Sequence, residues 1–377
     1  MVPYFYFEII YKSKKSRARV GRIHTPHGII DTPGFVAVAT NGSIKAVDSV
    51  MLEQLNQQLI FCNTYHMILH PGANTVAQAG GLHTFINRKQ PIITDSGGFQ
   101  VFSLAYGGVA SELKSKGQKD IKNSVLKINE NGVIFRSYRD GSLIELTPES
   151  SIVAQKKLGA DIIIPLDELP PYHINQRALK RCLDRTHRWE KRSLEEHEKN
   201  KNNQAIYAVV HGGIDKELRA ESCKVLSQLN FDGFAIGGSV GKNREEMIEM
   251  LHFTMPRLPE DKPNHLLGIA DLPSIEQIIP LGIDTFDSSH PTKLARHGHL
   301  LTTQGTKKIE QVRWKHDFTP IDPSCSCYTC ANYSIGYIHH LFKAHEATAH
   351  TLASIHNIAY MNLLMAEYRK KIIRGEI

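Results

Sequence analysis

No stretch of the 377-residue sequence approaches the ~20 consecutive apolar residues that a membrane-spanning helix requires. The longest candidates, such as Asp161-Ile-Ile-Ile-Pro-Leu166, are strand-sized, which excludes a membrane bundle. A secretory signal is missing too. Met1-Val-Pro-Tyr-Phe-Tyr-Phe-Glu-Ile-Ile puts apolar residues ahead of the basic cluster Lys12, Lys14, Lys15, Arg17 and Arg19, the reverse of a signal, and no small-residue cleavage site follows. The expectation is an opening strand in a cytoplasmic protein without membrane attachment. Cysteine is scarce, six in all, and a disulfide framework is not expected in a long cytoplasmic chain. Charge of one sign is also in short supply: 45 Lys and Arg against 38 Asp and Glu leave +7, which permits an acidic partner without requiring one. With 41% hydrophobic and 22% charged residues, the composition excludes disorder and collagen-like repeats. The length suits one large barrel-type domain or two ordinary ones.

What is present is a repeated pattern: a short apolar run ending in a polar residue or glycine, a turn, then a helical stretch. Pro91-Ile-Ile-Thr-Asp95 leads into Ser96-Gly-Gly98, Asp161 to Asp167 into Glu168, and Ala205 to His211 into Gly212-Gly213. Gly233 to Gly237, His265 to Ala270 and Gly282 to Asp287 repeat it. Between them, Pro148 to Gly159 and Asp215 to Leu229 have apolar residues at helical spacing, and Arg177 to Asn200 reads as a long, charged, largely solvated helix. Alternating strands and helices imply parallel βαβ units. At least six over about 200 residues fit a (β/α)8 TIM barrel better than an open doubly wound sheet, and would gather strand-end polar residues at one face.

Two regions break the rhythm. Tyr106 to Lys127, with five lysines against two acids, reads as a long mobile loop or insertion. After Pro291 the βα pattern stops, and Tyr337 to Ile373 reads as helices, so residues 1–300 are expected to form the barrel and 301–377 an appended subdomain. Cys62, Cys182 and Cys223 stand alone as small buried residues, but Cys325, Cys327 and Cys330 lie within six positions. Three thiolates on a tight turn suggest tetrahedral zinc, with a fourth ligand drawn from His339, His340, His345, His350 or His356. Four protein ligands leave no open position, so the site would be structural.

Asp95 before Ser96-Gly97-Gly98, Asp167 and Asp287 each close a strand. Three carboxylates at the strand ends of one barrel suggest glycosidase-like chemistry, one attacking an anomeric carbon and another moving a proton on the leaving group.

At this level of detail the chain resembles the tRNA-guanine transglycosylases, or queuine tRNA-ribosyltransferases. The matching pieces are Thr94-Asp-Ser-Gly-Gly-Phe-Gln100, Asp140-Gly, Leu146-Thr-Pro-Glu149, Asp167-Glu168, Gly233-Phe-Ala-Ile-Gly-Gly238 and Phe286-Asp287. Pro291-Thr292, Ala295-Arg296, His297-Gly298, Cys325-x-Cys327-x2-Cys330, Tyr337-Ile-His-His340 and His356-Asn357 follow in family order. The resemblance implies a (β/α)8 barrel with a zinc-binding subdomain, in which Asp287 attacks C1′ of the guanosine at the first anticodon position of a tRNA. Guanine leaves, a covalent ribosyl-enzyme forms, and a 7-deazaguanine base takes its place. It implies that Asp95 is the base-recognising acid/base residue, that Asp167 reads the guanine-like edge, and that Phe99 stacks on the base. Gly238 would face the base, and Ser96, Gly97, Gly98 and His211 would complete its pocket. The tRNA would touch Gly268, Ile269, Ala270, Asp271, Thr292, Lys293, Leu294, Ala295 and Arg296. His356 becomes the fourth Zn2+ ligand, and a homodimer is expected.

The departures from the family pattern fall on the base pocket. His211 stands where the family usually has Gln, and Gly237-Gly238-Ser-Val-Gly-Lys242 is one residue shorter than usual, with Lys242 in place of a glutamate. Ile269-Ala270-Asp271 is atypical, Ser288 replaces Cys and Lys293 replaces Arg. A smaller loop would admit queuine's bulky ring, and Lys242 would discourage an ammonium nearby, which places queuine at least level with 7-aminomethyl-7-deazaguanine. The competing readings are a zinc-containing tRNA-binding subunit without exchange activity and a glycosidase of free sugars. Against the latter, Lys293 to Lys315 carries six Lys/Arg and one Glu, suited to a phosphate backbone. Residues 291–377 hold +5 of the net charge, from 11 basic and 6 acidic residues, and so locate the expected tRNA.

Overall fold

The computed structural model describes residues 3–106, 113–114 and 125–377. Eight short parallel strands close into a barrel: β1 (Gly34–Val38), β2 (Ile60–Cys62), β3 (Ile92–Thr94), β4 (Ile162–Ile163), β5 (Ala205–Val210), β6 (Gly233–Ile236), β7 (Asn264–Leu266) and β8 (Thr285–Ser288). They pair in chain order, and β8 closes on β1 with Phe286 opposite Phe35 and Asp287 opposite Val36. Every residue of β5 is buried, as befits a strand covered on both faces. Alternate side chains separate into two cores. Val36, Phe61, Ile93, Ile162, Tyr207, Val209 and Ala235 form one, inside the barrel. Their neighbours Phe35, Ala37, Ile60, Ile92, Ile206, Ala208 and Phe234 pack with the surrounding helices.

The strands Tyr6–Lys12, Arg19–Thr25 and Gly28–Thr32 form an antiparallel sheet whose Ile23 and Ile30 join the inner core, so the sheet covers the barrel floor. The buried pair Arg19–Asp284, 2.6 Å apart, ties it to the residue preceding β8. Helices follow most strands, and local chemistry sets their ends. Thr147 and Ser150 form a capping box on the Pro148–Leu158 helix, which Gly159 closes in the left-handed conformation. Asn175, Asp215, Asn243 and Asp271 cap the helices Gln176–Glu198, Lys216–Ser227, Arg244–Thr254 and Leu272–Ile278. Gln176–Glu198 is less solvated than its charge suggests, burying a stripe from Leu179 through Trp189 and Glu190 to His197.

After β3 the chain leaves the barrel for the Gly98–Tyr106 helix and an antiparallel sheet of Val125–Ile128, Val133–Arg136 and Leu143–Leu146. The long loop expected over Tyr106 to Lys127 falls largely outside the described residues. After β8 it passes through the helix His290–Arg296, a hairpin (His299–Thr302 with Gly305–Lys308) and the helices Tyr328–Asn332 and Ile335–Lys343. The last helix, Ala347–Ile373, serves both parts: Ala349, Leu352 and Ala353 pack with Leu300, Ile309 and Ile321, whereas Ile355, Ile358, Met361, Met365 and Ile372 join the barrel shell. Asn357 fastens the junction, donating to the carbonyls of Pro291 and His299 and accepting from Leu301 N–H.

Candidate active site

The strand ends open into a cleft of about 860 Å³ whose walls include Asp95, Ser96, Phe99, Asp167, Gly238, Gly268, Ile269 and Asp287. The three carboxylates singled out from the sequence are thus brought together, each held differently.

Asp95 follows β3 and is buried. Its Oδ1 accepts from Thr64 N–H (2.7 Å), and its Oδ2 from the amides of Asn63 (2.6 Å) and Gln100 (3.1 Å). Burial pushes its pKa up to about 6; the three donors oppose this and the nearby charge of Asp287 adds to it. A carboxyl at that value exchanges protons readily near neutral pH. Asp287, in β8, offers Oδ1 to Gly268 N–H (2.9 Å) and to His265 Nε2 (3.1 Å). Among the described residues Oδ2 has no hydrogen-bond partner.

Asp167 lies beyond β4, where Oδ1 accepts from the Ser96 hydroxyl (3.2 Å) and Oδ2 faces His211 Nε2 (2.8 Å). Gly98 is demanded by this approach: a Cβ there would lie 2.7 Å from both the carbonyl and the Oδ1 of Asp167. His211 is buried against the cleft wall rather than open to it, and its Nδ1 has no described partner. Gly238, with φ +67°, packs so closely that a Cβ would sit 2.3 Å from that Nδ1. Gly97 is also buried, and Phe99 is half exposed at the cleft mouth.

Sequence reasoning missed Asn63, Gln100, His265 and Arg219. Arg219 is fully buried and donates to the carbonyls of Val210, Gly213, Gly237 and Gly238, which stitches the loop after β5 to the loop after β6. Its signal was an arginine on the apolar face of its helix, beside Leu218, Ser222 and Leu226. The Lys242 side chain also behaves differently from a free cation. Glu246 takes its Nζ at 3.0 Å and its backbone N–H at 3.1 Å, and the Tyr172 hydroxyl bonds to the same carboxylate. Ser239 bonds to the Pro170 carbonyl.

Of the expected tRNA-facing residues, Gly268, Ile269 and Lys293 are open to solvent in whole or part, and Leu294 and Arg296 are half-buried. Ala270, Thr292 and Ala295 are buried. Asp271 caps its helix and pairs with Arg244 at 2.9 Å. Beyond them lies a basic, aromatic surface: Lys307 and Arg313 both sit over the Trp314 ring, and Val312 and Phe318 are largely exposed.

The sulfurs of Cys325, Cys327 and Cys330 approach His356 Nδ1 to 3.8, 3.7 and 3.3 Å. The four ligand atoms lie within 4.8 Å of one another. Ligands bound tetrahedrally at about 2.0–2.3 Å from zinc are about 3.6–3.8 Å apart, so the cluster fits a metal ion. His356 Nε2 donates to the Leu301 carbonyl at 2.7 Å, which fixes the tautomer and leaves Nδ1 as a bare lone pair facing the thiols. Geometry thus selects His356 from the five histidines the spacing left open. No helix among the described residues is long and apolar enough to cross a membrane.

Comparison with known proteins identifies the family. The family model described as Queuine tRNA-ribosyltransferase matches residues 13–377. A queuine tRNA-ribosyltransferase of Protochlamydia amoebophila is 66% identical over 371 residues, covering 98% of this chain and 96% of that protein. Those of Chlamydia felis and Chlamydia trachomatis serovar D are 55% and 54% identical over 372 residues, covering 98% of this chain and 99% of each relative. The chain belongs to the queuine tRNA-ribosyltransferase family.

Proposed function

We propose that the protein is a tRNA-guanine transglycosylase, which exchanges guanine at the first anticodon position of a tRNA for a 7-deazaguanine base. The observation that carries the mechanism is Asp287, fixed through Oδ1 at the cleft with Oδ2 free, in the company of a buried Asp95 whose proton is exchangeable near neutrality. Asp287 attacks C1′ as the C1′–N9 bond breaks, and the bond electrons leave with guanine, which takes up a proton. The incoming base gives up its N9 proton and attacks C1′, and Asp287 departs as a carboxylate, so protons and charge balance over the cycle. Asp95 is the group we assign to proton transfer and base recognition. Asp167, held by Ser96 and His211, accepts from the N1–H and 2-amino edge of the base. Phe99 stacks on it, and Gly97, Gly98 and Gly238 let the backbone approach. The base must leave the anticodon stack, which is least costly in a single-stranded loop.

The tRNA is assigned to Gly268–Asp271, Thr292–Arg296 and the basic face of the C-terminal region. Ala270, Thr292 and Ala295 would contribute backbone rather than side chains, since those side chains face inward. Zn2+ is the ion we assign to Cys325, Cys327, Cys330 and His356, in a structural role that holds the turn of three cysteines against the last helix. A homodimer and a cytoplasmic location complete the proposal on the family's authority.

Queuine remains at least level with the aminomethyl base. The pairing of Lys242 with Glu246 removes the charge repulsion that favoured queuine, and the support comes from the shortened loop and the size of the cleft. The decisive assay incubates the protein with a tRNA bearing guanosine at the first anticodon position and each base in turn, followed by mass analysis of the nucleosides. Incorporation of neither base would overturn the enzyme reading, and a strong preference for the aminomethyl base would overturn the statement about queuine.

A further inference from the structure

The nucleophile rests on a residue outside the chemistry described above. His265 is the middle residue of β7, fully buried, with its Nε2 3.1 Å from Asp287 Oδ1 and its Nδ1 2.9 Å from the Thr285 hydroxyl. That hydroxyl is also 3.2 Å from the Asn264 carbonyl. Phe61 from β2 lies nearly parallel to the ring, with centroids 5.8 Å apart. Asn264 is itself clamped by Asp284 and Gly282. Among the described residues, Asp287 is the ionisable group in contact with the ring, with Phe61 and Thr285 on its other sides.

The hydrogens can be counted. The Thr285 hydroxyl has one proton and two acceptors in reach. Turned to His265 Nδ1, it leaves a neutral ring that donates through Nε2–H to Asp287. Turned to the Asn264 carbonyl, it accepts Nδ1–H; the ring is then protonated and again donates through Nε2–H, because a neutral Nδ1–H ring would set a bare Nε2 lone pair against the carboxylate. The contact to a carboxylate Oδ1 therefore survives in either protonation state of the histidine.

We propose that His265 is a positioning residue for the nucleophile: with Gly268 N–H it holds Oδ1 of Asp287, so that Oδ2 is the oxygen that attacks C1′, and Thr285 keeps its ring in the donating orientation. The inference rests on the assignment of Asp287 as nucleophile. Two donors on Oδ1 orient the carboxylate for the first step. In the second they favour its departure, because negative charge returns to the carboxylate as the C1′–O bond breaks.

The test compares His265→Leu, His265→Gln and Thr285→Val with the wild type and Asp287→Asn, using exchange of labelled guanine into tRNA. His265→Leu is expected to lower kcat by about 100-fold with KM for tRNA and base within about threefold. His265→Gln, whose amide can reach the same oxygen, is expected to recover kcat to within about tenfold, and Thr285→Val to fall in between. A His265→Leu enzyme with kcat within twofold of wild type, or a loss that Gln does not rescue, overturns the proposal. Should that variant fail to fold, Thr285→Val with an unchanged kcat does the same. If Asp287→Asn keeps its activity, the nucleophile assignment itself fails; if it is inactive while His265→Leu matches wild type, only the positioning role fails.

Discussion

Replacing Asp95 with Asn should make the folded protein more stable and the enzyme inactive. The carboxyl is buried at the cleft, and burial, helped by the charge of Asp287, moves it from 3.8 to about 6. At about 1.4 kcal/mol per tenfold change in proton affinity, this corresponds to about 3 kcal/mol. The sign follows from proton binding. Because the folded chain holds this proton more tightly than the unfolded chain, the contribution is favourable below pH 3.8 and is lost as pH rises through about 6. Asn carries no such dependence. Its amide would, however, turn a donor toward the Asn63 and Gln100 donors, at a cost of about 1 kcal/mol. The net expectation is Asp95→Asn more stable by about 2 kcal/mol at pH 8 and nearly equal to wild type at pH 4.5, with exchange abolished. Urea unfolding of both metal-loaded proteins at the two pH values, followed by tryptophan fluorescence, measures this. A variant less stable than wild type at pH 8, or a difference that does not change with pH, would refute the reasoning.

Asp287→Asn is expected to lower base exchange on the order of 10³-fold or more while tRNA affinity by filter binding stays within about threefold; parallel loss of both would contradict the nucleophile assignment. Stripping the metal with a strong chelator should release one zinc per chain, read by elemental analysis, and lower the thermal midpoint by about 5 °C or more, with Cys330→Ser doing the same. A chain that unfolds identically with and without chelator would show that the Cys3His cluster holds nothing. Gly238→Ala puts a methyl 2.3 Å from His211 Nδ1 at a φ of +67°. It should destabilise the fold by about 1–2 kcal/mol and raise KM for the base about tenfold, and an unchanged KM would remove Gly238 from the base pocket.

How much of this was legible depends on what each element asks of its residues. Six of the eight barrel strands were readable because an apolar run buried on both faces needs no partner pattern to be recognised. β1 and β2 were not: Gly34–Val38 follows directly on the floor sheet, and Ile60–Cys62 is three residues long, too short for any periodicity. The last helix was legible as a helix, but not as the element that both carries His356 and covers the barrel, because that double duty is a property of where the chain returns. The cysteine cluster announced a metal from spacing. The choice of His356 required the Leu301 carbonyl on its far nitrogen, a contact across 55 residues.

The site divides along the same line. Asp95, Asp167 and Asp287 were found because a carboxylate closing a strand is conspicuous in one dimension. The groups that give each its character lie elsewhere in the chain: Asn63 is 32 residues from Asp95, His211 is 44 from Asp167, and His265 is 22 from Asp287. Lys242 shows the converse error. Taken alone it reverses a charge beside the pocket, yet Glu246, four residues on along the same turn of chain, absorbs it. The charge that a substitution brings to a pocket edge counts only as far as its neighbours leave it unsatisfied. His211, by contrast, bonds to Asp167 itself, and its Nδ1, pressed against Gly238, has no partner among the described residues.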